Sequence, residues 1–412
     1  MQTKVFSSEL KIGMFVSSLD RPWIDTPFMF QGFLIEVEDD IELLQKYCEF
    51  VQVDWIRSTV QQPDAGLIWK DLSTTEFNER PDFIPDDIKL SIYLDAGPVE
   101  QEVAPAVKAY DHASEVISNL LQDIKSNKHF AIEEAEVVAQ EIVDSMVRNP
   151  DAMMWVTRLR NQDEIIYGHG LQVSVYLIAL GRHLGLPKDF LERLCTIGLL
   201  LDIGKIRLPK ELLLKSGRLT PDEFEAVKSH VALALDILKE TPNLHSDVLQ
   251  GIAQHHEREN GSGYPAGLAK GEISLFGRMA AIVDSFTALT NPRSYAEAMP
   301  AYEALQCLVN FNPDLYQASM LEQFIQAIGV FPVGSMVELS SGEVAVIISH
   351  SKVRRLKPRV LIIADSNKRP SLQPATLDLL YQPMVAGRNE LYIQRGLPTG
   401  AFGMDPREYY LV

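Results

Sequence analysis

Residues 255–265 read HHERENGSGYP and place two adjacent histidines directly before a loop that cannot be helical. Neighbouring side chains on a helix point about 100° apart, so both histidines can serve one metal only near a helix end. Gly261 and Gly263 tolerate positive φ, and Pro265 pushes Tyr264 to an extended conformation. The stretch therefore predicts metal ligands fixed by a tight turn. A helix C-terminus with stabilising histidines and a glycine stop is the alternative interpretation.

The chain has 412 residues, which is enough for two or three domains with their own cores. Its hydrophobic content of 46% and charged content of 23% are ordinary for a globular protein. The net charge of −18 argues against non-specific nucleic-acid binding, so we expect no DNA partner. A phosphate-bearing substrate would need local cations, from a metal or from placed basic side chains.

Three cysteines, Cys48, Cys195 and Cys307, lie far apart and lack CxxC spacing. They indicate buried thiols in a reducing compartment. The first residues, MQTKVFSSEL, contain no apolar stretch of signal-peptide length, and no run reaches the roughly 18 apolar residues that span a bilayer. We therefore expect a cytoplasmic protein without a membrane span.

Pattern changes along the chain predict a multidomain α+β protein. Short alternating strands surround one helix near the N-terminus, a proline-rich linker follows, long amphipathic helices come next, and strand-like runs close the chain. The predicted divisions are an N-terminal α+β module plus linker (1–100), connecting helices (101–144), a central helical domain (145–330) and a β-rich C-terminal unit (331–412).

Isolated polar residues interrupt the apolar faces of the central helices. His169 and His230 lie on or near such faces, although a lone histidine there is more often a satisfied core residue. Asp202 follows an unbroken apolar run with Lys205 three residues on, and Asp284 lies inside another apolar run. Carboxylates in these positions need a partner, because burying an unpaired charge is costly.

One explanation covers all of these residues together. Neutral imidazoles and carboxylates on the helices of one bundle are the mixture that holds two divalent metals, with a carboxylate such as Asp202 able to bridge them. Such a pair of metals can activate water and clamp a phosphoryl group. The candidate ligands are His169, Asp202, His230, His255, His256 and Asp284.

Five separated motifs between about residues 145 and 330 resemble, in order and spacing, the HD-GYP domain, a branch of the HD metal-dependent phosphohydrolases. They are YGHGLQV, LLLDIGKIRLP, LTPDEFEAVKSH, HHERENGSGYP and AAIVDSFTALTNPRSY. The segments KIGMFVSSLD and QGFLIEVEDDIELLQKY resemble a poorly characterised domain often found in front of HD-GYP.

The resemblance implies an all-α HD-type helical bundle that binds two or three metals, commonly iron or manganese. It implies hydrolysis of the bacterial messenger cyclic di-GMP to pGpG or GMP, with the six candidate residues as ligands. Lys205 matches a lysine near the scissile phosphate, and Arg293 matches a contact to a substrate phosphate. Family members also contact diguanylate cyclases through the GYP loop, which here contains Gly263, Tyr264 and Pro265. Such a cyclase is therefore a candidate partner.

The sequence departs from the family pattern at four positions. Leu201 replaces the histidine of the His-Asp pair, Ile165 replaces the glutamate of three-metal members, Asn260 stands where aspartate is usual, and Ala296 replaces a common basic contact. We therefore expect two metals. One keeps a full set of ligands, and the second, which lacks an imidazole, is weaker.

Two principal hypotheses follow from these matches and departures. The first is a cyclic di-GMP phosphodiesterase with a weakened second metal site, favoured by Lys205, Arg293 and the five motifs. The alternative is a catalytically silent HD-GYP module that acts by binding cyclic di-GMP or a protein, favoured by Leu201, Asn260 and Ala296. An HD hydrolase that acts on another nucleotide is a third reading.

Overall fold

A computed structural model describes residues 2–21, 26, 28, 33–35, 37–54, 58, 80–126, 132–160, 165–239, 241, 244–291, 298–310, 314–350, 357–381, 384–385 and 389–409. The chain divides into two compact units, Met1–Ile84 and Pro85–Val412. The boundaries predicted at residues 100, 144 and 330 stay predictions.

The first unit is a four-stranded antiparallel sheet with one helix. Its strands pair in the order β1-β4-β2-β3, and three acidic residues in the first turn of the helix suit the positive end of its dipole. The fully buried centre consists of Val16, Ile35, Leu44, Val51 and Val53. The elements are β1 (Gln2–Phe6), β2 (Phe15–Leu19), β3 (Phe33–Leu34), α1 (Glu38–Tyr47) and β4 (Phe50–Asp54).

The second unit is mainly helical. Its described helices are α2 (Val99–Lys125), α3 (Ile132–Arg148), α4 (Pro150–Leu159), α5 (Ile165–His183), α6 (Lys188–Leu200), α7 (Lys210–Leu213), α8 (Pro221–Lys228), α9 (His230–Leu238), α10 (Ser246–Gln254), α11 (Leu275–Thr290), α12 (Ala301–Asn310) and α13 (Ala318–Ile328). A short 3-10 helix, Ile203–Arg207, joins α6 to α7.

Aromatic side chains fill the core between these helices. Tyr176 of α5 meets Phe286 of α11 and Phe324 of α13 edge to face, with ring centroids 5.3 and 6.4 Å apart. Phe286 and Phe324 are themselves 5.3 Å apart and fully buried. This geometry favours aromatic pairs beyond the area that they bury. It fixes α5 and α11, which carry His169 and Asp284, against one another.

A close crossing brings α5 and α6 together. A Cβ added at Gly198 of α6 would lie 2.5 Å from the Cα of Ser174 in α5. The Ser174 hydroxyl, which is fully buried, donates to the carbonyls of Gly170 and Cys195. Only glycine allows this approach, and the approach brings the end of α6, where Asp202 follows, close to α5.

The same unit contains the C-terminal strands. The described strands are β5 (Met336–Leu339), β6 (Val344–Ser349), β7 (Arg359–Ala364), β8 (Pro370–Asp378), β9 (Met384–Val385), β10 (Asn389–Glu390) and β11 (Ile393–Leu397). Five of them form an antiparallel sheet in the order β11-β5-β6-β7-β8, and β9 pairs with β10. The turn between β5 and β6 contains Ser341 and Gly342, as predicted.

The structure confirms a mostly helical protein that also contains sheets. No described helix combines the length and the apolar character needed to cross a membrane. The capping box predicted at Thr220 is also present, because the Thr220 hydroxyl accepts from the Glu223 amide while the Glu223 carboxylate accepts from the Thr220 amide.

Gly198→Ala should destabilise the second unit, because the added methyl group would push α5 and α6 apart. We expect a loss of about 1–3 kcal/mol in the free energy of unfolding, the usual cost of overpacking a core. Urea denaturation followed by circular dichroism measures it. Gly271→Ala is the matched control, since a Cβ there meets no atom within 4 Å. Equal stability of the two variants would contradict the close-crossing argument.

Candidate metal centre

The adjacent histidines lie at a helix end, as the sequence predicts. Helix α10 ends at Gln254, and His255 is its C-terminal cap with φ −64° and ψ −15°. His256 follows in the turn, and the two imidazole rings have centroids 4.1 Å apart. The backbone leaves the helix between the two side chains, so both can face one site.

A third imidazole, from His230 at the start of α9, completes a cluster. The potential ligand atoms of His230, His255 and His256 all lie within 4.8 Å of one another. Nδ1 of His230 donates to the carbonyl of Val227 at 2.7 Å, and Nδ1 of His255 donates to the carbonyl of Ile252 at 2.6 Å. In each neutral ring the lone pair is therefore on Nε2.

The two Nε2 atoms of His230 and His255 lie only 3.4 Å apart. With both Nδ1 atoms committed as donors, two lone pairs face each other across this distance. Such an arrangement is unfavourable unless a cation lies between or beside the nitrogens. This geometry indicates a metal site more strongly than it indicates ordinary packing.

Asp202 lies beside this cluster, directly after α6. Its Oδ1 is 3.5 Å from Nε2 of His230 and, among the described residues, has no hydrogen-bond partner although it is buried. Its Oδ2 accepts from Nζ of Lys205 at 2.6 Å and lies 3.9 Å from Nε2 of His169. The carboxylate thus faces imidazoles on both sides, as a bridging ligand must.

His169 and Asp284 form the other side of the centre. Nε2 of His169 is 2.8 Å from Oδ1 of Asp284, and Oδ2 of Asp284 is 3.9 Å from Nδ1 of His256. All six candidate ligands predicted from the sequence therefore converge on one site. Two overlapping sets of donors result, and Asp202 belongs to both.

Burial favours the neutral form of three clustered imidazoles, those of His230, His255 and His256. It lowers the pKa of His255 to about 4 and also lowers the pKa of His230. Burial, reinforced by the charge of the neighbouring His255, holds the pKa of His256 well below its ordinary value. Neutral imidazole is the form that binds metal, so these rings are ready to do so near neutral pH.

The two carboxylates are ionised in spite of their burial. Burial alone would raise the pKa of Asp202, but the ammonium group of Lys205 holds it below its ordinary value. Burial likewise opposes ionisation of Asp284, while the hydrogen bond from His169 brings its pKa well below the usual range. Anionic oxygens and neutral nitrogens are together a ligand set for divalent transition metals.

The loop after the histidines packs tightly back onto them. The amide of Tyr264 donates to the carbonyl of His256 at 3.1 Å, and the phenol ring stacks on the His256 imidazole at 4.6 Å. A Cβ at Gly263 would lie 2.6 Å from the same carbonyl. Gly263 is therefore required for the close approach of the backbone. The sequence analysis had instead expected a positive φ at this glycine, which the structure does not show.

Two charged residues brace the loop, and sequence reasoning assigned them no role. Glu257 is fully buried and accepts from the amides of Ala266 and Leu268 at 2.8 and 2.9 Å. Arg258 donates to the carbonyls of His255 and Glu257, at 3.2 and 2.8 Å. The sequence did contain a signal for this role. Glu257 and Arg258 directly follow two candidate ligands, and charged side chains at such a place must either face water or form hydrogen bonds to the backbone.

The departures from the family pattern have different outcomes. Leu201 is fully buried and supplies no ligand. Asn260 accepts from the amide and hydroxyl of Ser262, at 3.0 and 2.6 Å, and so stabilises the turn. Arg293 and Ala296 lie outside the described residues, as does the side chain of Ile165, which begins α5.

These features suit a divalent metal. The orphaned oxygen of Asp202 and the opposed Nε2 atoms are buried acceptors that need a positive partner, and a metal satisfies all of them at once. His230, His255, His256 and Asp202 offer one set of four donors. His169 and Asp284, with Asp202, offer a set of three.

Comparison with known proteins gives two matches to family models. Residues 154–319 match the HD domain, and residues 2–135 match a domain of unknown function, DUF3391. The chain is 30% identical to a cyclic di-GMP phosphodiesterase of Pseudomonas aeruginosa, over 92% of this chain and 89% of that protein.

Two further relatives match parts of the chain. A cyclic di-GMP phosphodiesterase of Thermotoga maritima is 30% identical, over 51% of this chain and 56% of that protein. A 3′3′-cGAMP-specific phosphodiesterase of Vibrio cholerae is 32% identical, over 38% of this chain and 36% of that protein.

The HD-type helical unit and its histidine cluster define a metal-dependent class of protein. With the extended similarity to the Pseudomonas protein, the chain belongs to the HD-GYP family, and its front part carries the domain of unknown function matched at residues 2–135.

Acid should destabilise the metal-free protein partly through His255. Because its folded pKa of about 4 is below its unfolded value of about 6.5, the unfolded chain takes up this proton first as pH falls. The stability due to neutral His255 is complete above about pH 6.5 and is lost as pH falls to about 4. The loss amounts to about 3 kcal/mol.

We therefore expect His255→Gln to flatten the dependence of stability on pH between 7 and 4, in urea unfolding of chelator-treated protein. His112→Gln is the control, because His112 is largely exposed and pairs with Glu141 at the surface. Curves of equal steepness for wild type and His255→Gln would contradict the assigned pKa.

Proposed function

We propose that this protein is a metal-dependent cyclic di-GMP phosphodiesterase that yields pGpG or GMP, with a weakened second metal site. The observation that carries the proposal is the convergence of four imidazoles and two carboxylates, in which the Nε2 lone pairs of His230 and His255 face each other. Iron or manganese suits this mixture of nitrogen and carboxylate donors.

The ligand geometry supports hydrolysis of a phosphodiester. Divalent metals in such a site act as Lewis acids toward phosphoryl oxygens and lower the pKa of water, which supplies a nucleophile near neutral pH. The protein's contribution is to hold the donors in place before substrate arrives. The backbone carbonyls of Val227 and Ile252 fix the tautomers and ring orientations of His230 and His255.

Among the residues that the structure describes, Lys205 is the cation nearest to the ligands. Its ammonium group is 2.6 Å from Asp202 and its side chain is a quarter exposed, so it can reach both the centre and an incoming phosphate. In the proposed reaction Lys205 stabilises charge that develops on the phosphate or the leaving oxygen. Arg293, outside the described residues, is proposed as a second phosphate contact on the strength of the resemblance alone.

The choice of cyclic di-GMP rests on the relatives. The Pseudomonas protein, which aligns along most of the chain, is named for this substrate, while the Vibrio relative that aligns over a smaller part is named for 3′3′-cGAMP. Both are cyclic dinucleotides. A contact with a diguanylate cyclase through the GYP loop and a cytoplasmic location stay predictions.

Leu201 favours a second candidate function. Without the imidazole at this position, the set formed by His169, Asp284 and the shared Asp202 has three protein ligands. Three ligands can still make a catalytic site, but a poorly occupied one would leave a module that binds the dinucleotide or a protein without turnover. The two functions differ in metal content and in product formation.

The direct test is metal analysis of anaerobically purified full-length protein, together with chromatographic detection of pGpG and GMP. We expect between one and two metals per chain and measurable turnover. His255→Ala should remove the better-ligated metal and lower turnover by at least about 100-fold, since even outer-shell changes cost about 10–100-fold. His112→Ala is the control. Binding of cyclic di-GMP without any product would favour the silent module.

Leu201→His should restore an imidazole beside Asp202, raise metal content toward two per chain and increase turnover. Leucine and histidine are similar in volume, but a buried imidazole without a metal costs about 1–3 kcal/mol. Leu200→His is the matched control, because Leu200 is equally buried and should lose stability without gaining metal. If Leu201→His behaves like Leu200→His, the position does not face the centre and the weak-site argument fails.

A further inference from the structure

An aromatic row runs from the histidine cluster to the protein surface. The ring of Tyr264 stacks on His256 with an interplanar angle of 27°, and Phe224 of α8 meets Tyr264 at 82° with centroids 6.3 Å apart. Tyr264 is partly buried, whereas Phe224 is 45% exposed. The row therefore ends in an apolar ring that is partly exposed.

A cation lies over this row. Nζ of Lys228 is 4.8 Å from the centroid of Phe224 and 5.4 Å from that of Tyr264, distances at which a cation is attracted to aromatic rings. The same ammonium group donates to Glu225 at 2.7 Å, and Glu225 is itself well exposed. In a chain of net charge −18, Lys228 places a cation over the aromatic row, where it suits an anionic partner.

Local hydrogen bonds hold the backbone that carries the row. Phe224 follows the Thr220–Glu223 capping box in the first turn of α8, and Glu223 also accepts two bonds from Lys215 at 2.7 and 2.6 Å. The backbone of Tyr264 is fixed by its bond to the carbonyl of His256. A preorganised aromatic surface loses little entropy when a flat group packs on it.

We propose that Phe224, with Tyr264 behind it and Lys228 over it, is the stacking surface for a purine base of the cyclic dinucleotide. The inference rests on the proposed function, because it places one phosphate at the metal ligands. A base attached next to that phosphate must lie beside the cluster, and purines stack on aromatic side chains. Lys228 can donate to the acceptor edge of guanine or to the second phosphate.

Phe224 is a binding residue in this scheme and not a metal ligand, so its role is separable from that of the cluster. Removing its ring should weaken binding of a dinucleotide and leave binding of bare phosphate unchanged. If the Phe224 ring had only a structural role, its removal would weaken the binding of both ligands or lower the stability of the protein.

The test is calorimetric titration of metal-loaded full-length protein with a phosphorothioate analogue of cyclic di-GMP, which resists hydrolysis, and separately with inorganic phosphate. We expect Phe224→Ala to raise the Kd of the analogue at least about tenfold, equivalent to about 1.4 kcal/mol. The Kd of phosphate should stay within about twofold of wild type, and Phe224→Tyr should retain most of the affinity.

Phe402→Ala is the matched control, because Phe402 is 49% exposed and also carries a lysine over its ring, Lys368 at 5.2 Å, but lies in the C-terminal part of the chain. It should change neither Kd. Lys228→Met tests the cation separately. It should weaken the binding of the analogue and reduce the salt dependence of its Kd. An unchanged Kd for Lys228→Met would overturn the role given to that cation.

An unchanged analogue Kd for Phe224→Ala, or equal weakening of analogue and phosphate, would overturn the stacking surface while the proposed function stands on turnover. Binding that depends on Phe224 without any hydrolysis by wild type would keep the surface and overturn the phosphodiesterase. A wild type that does not bind the analogue would overturn both.

Discussion

The candidate metal centre contains buried hydrogen-bond acceptors that the described residues do not pair with donors. His230 and His255 direct Nε2 lone pairs toward each other at 3.4 Å, and the buried Oδ1 of Asp202 has no donor among the described residues. Burial makes these groups costly unless a cation joins them. The crossing of α5 with α6, the end of α10 and the compact GYP loop all serve to hold these acceptors together. Metal affinity and folding energy are thereby coupled, because only the folded packing brings the metal-binding side chains together.

The placement of positive charge suits the proposed anionic substrate, although the chain as a whole is acidic. The net negative charge repels an anionic ligand, but salt screens this repulsion beyond about 8–10 Å at physiological ionic strength. Within that range, Lys205 and Lys228 lie at the centre and over the neighbouring aromatic row. Both are partly exposed and both are paired with a carboxylate, so a phosphate would compete with an existing partner. Under the proposed function, binding would then favour ligands that also offer metal-binding oxygens or a stacking base.

Leu201 shows how one position can separate fold from activity. It is fully buried at the end of α6, and its apolar side chain suits the helical core as well as any neighbour does. The fold therefore does not require histidine there, whereas the proposed second metal site has one donor fewer without it. In the proposed enzyme, four donors on one side and three on the other would make occupancy, and with it turnover, depend on metal supply. A family member can in this way keep every feature of the architecture and still differ in rate.

Local sequence determined the features that depend on near neighbours. The helix end at His255, the capping box of Thr220 and Glu223, and the strands around Gly342 all follow from backbone preferences within a few residues. The six candidate ligands could also be recognised, because polar groups on apolar faces need a partner. Only the tertiary structure decided how those groups meet. His169 and Asp284 are 115 residues apart, the carbonyls that set the histidine tautomers come from turns of α8 and α10, and the aromatic row joins separate segments at Phe224 and Tyr264. Contacts of this kind depend on helix crossings such as the one at Gly198, which periodicity along a single helix does not encode.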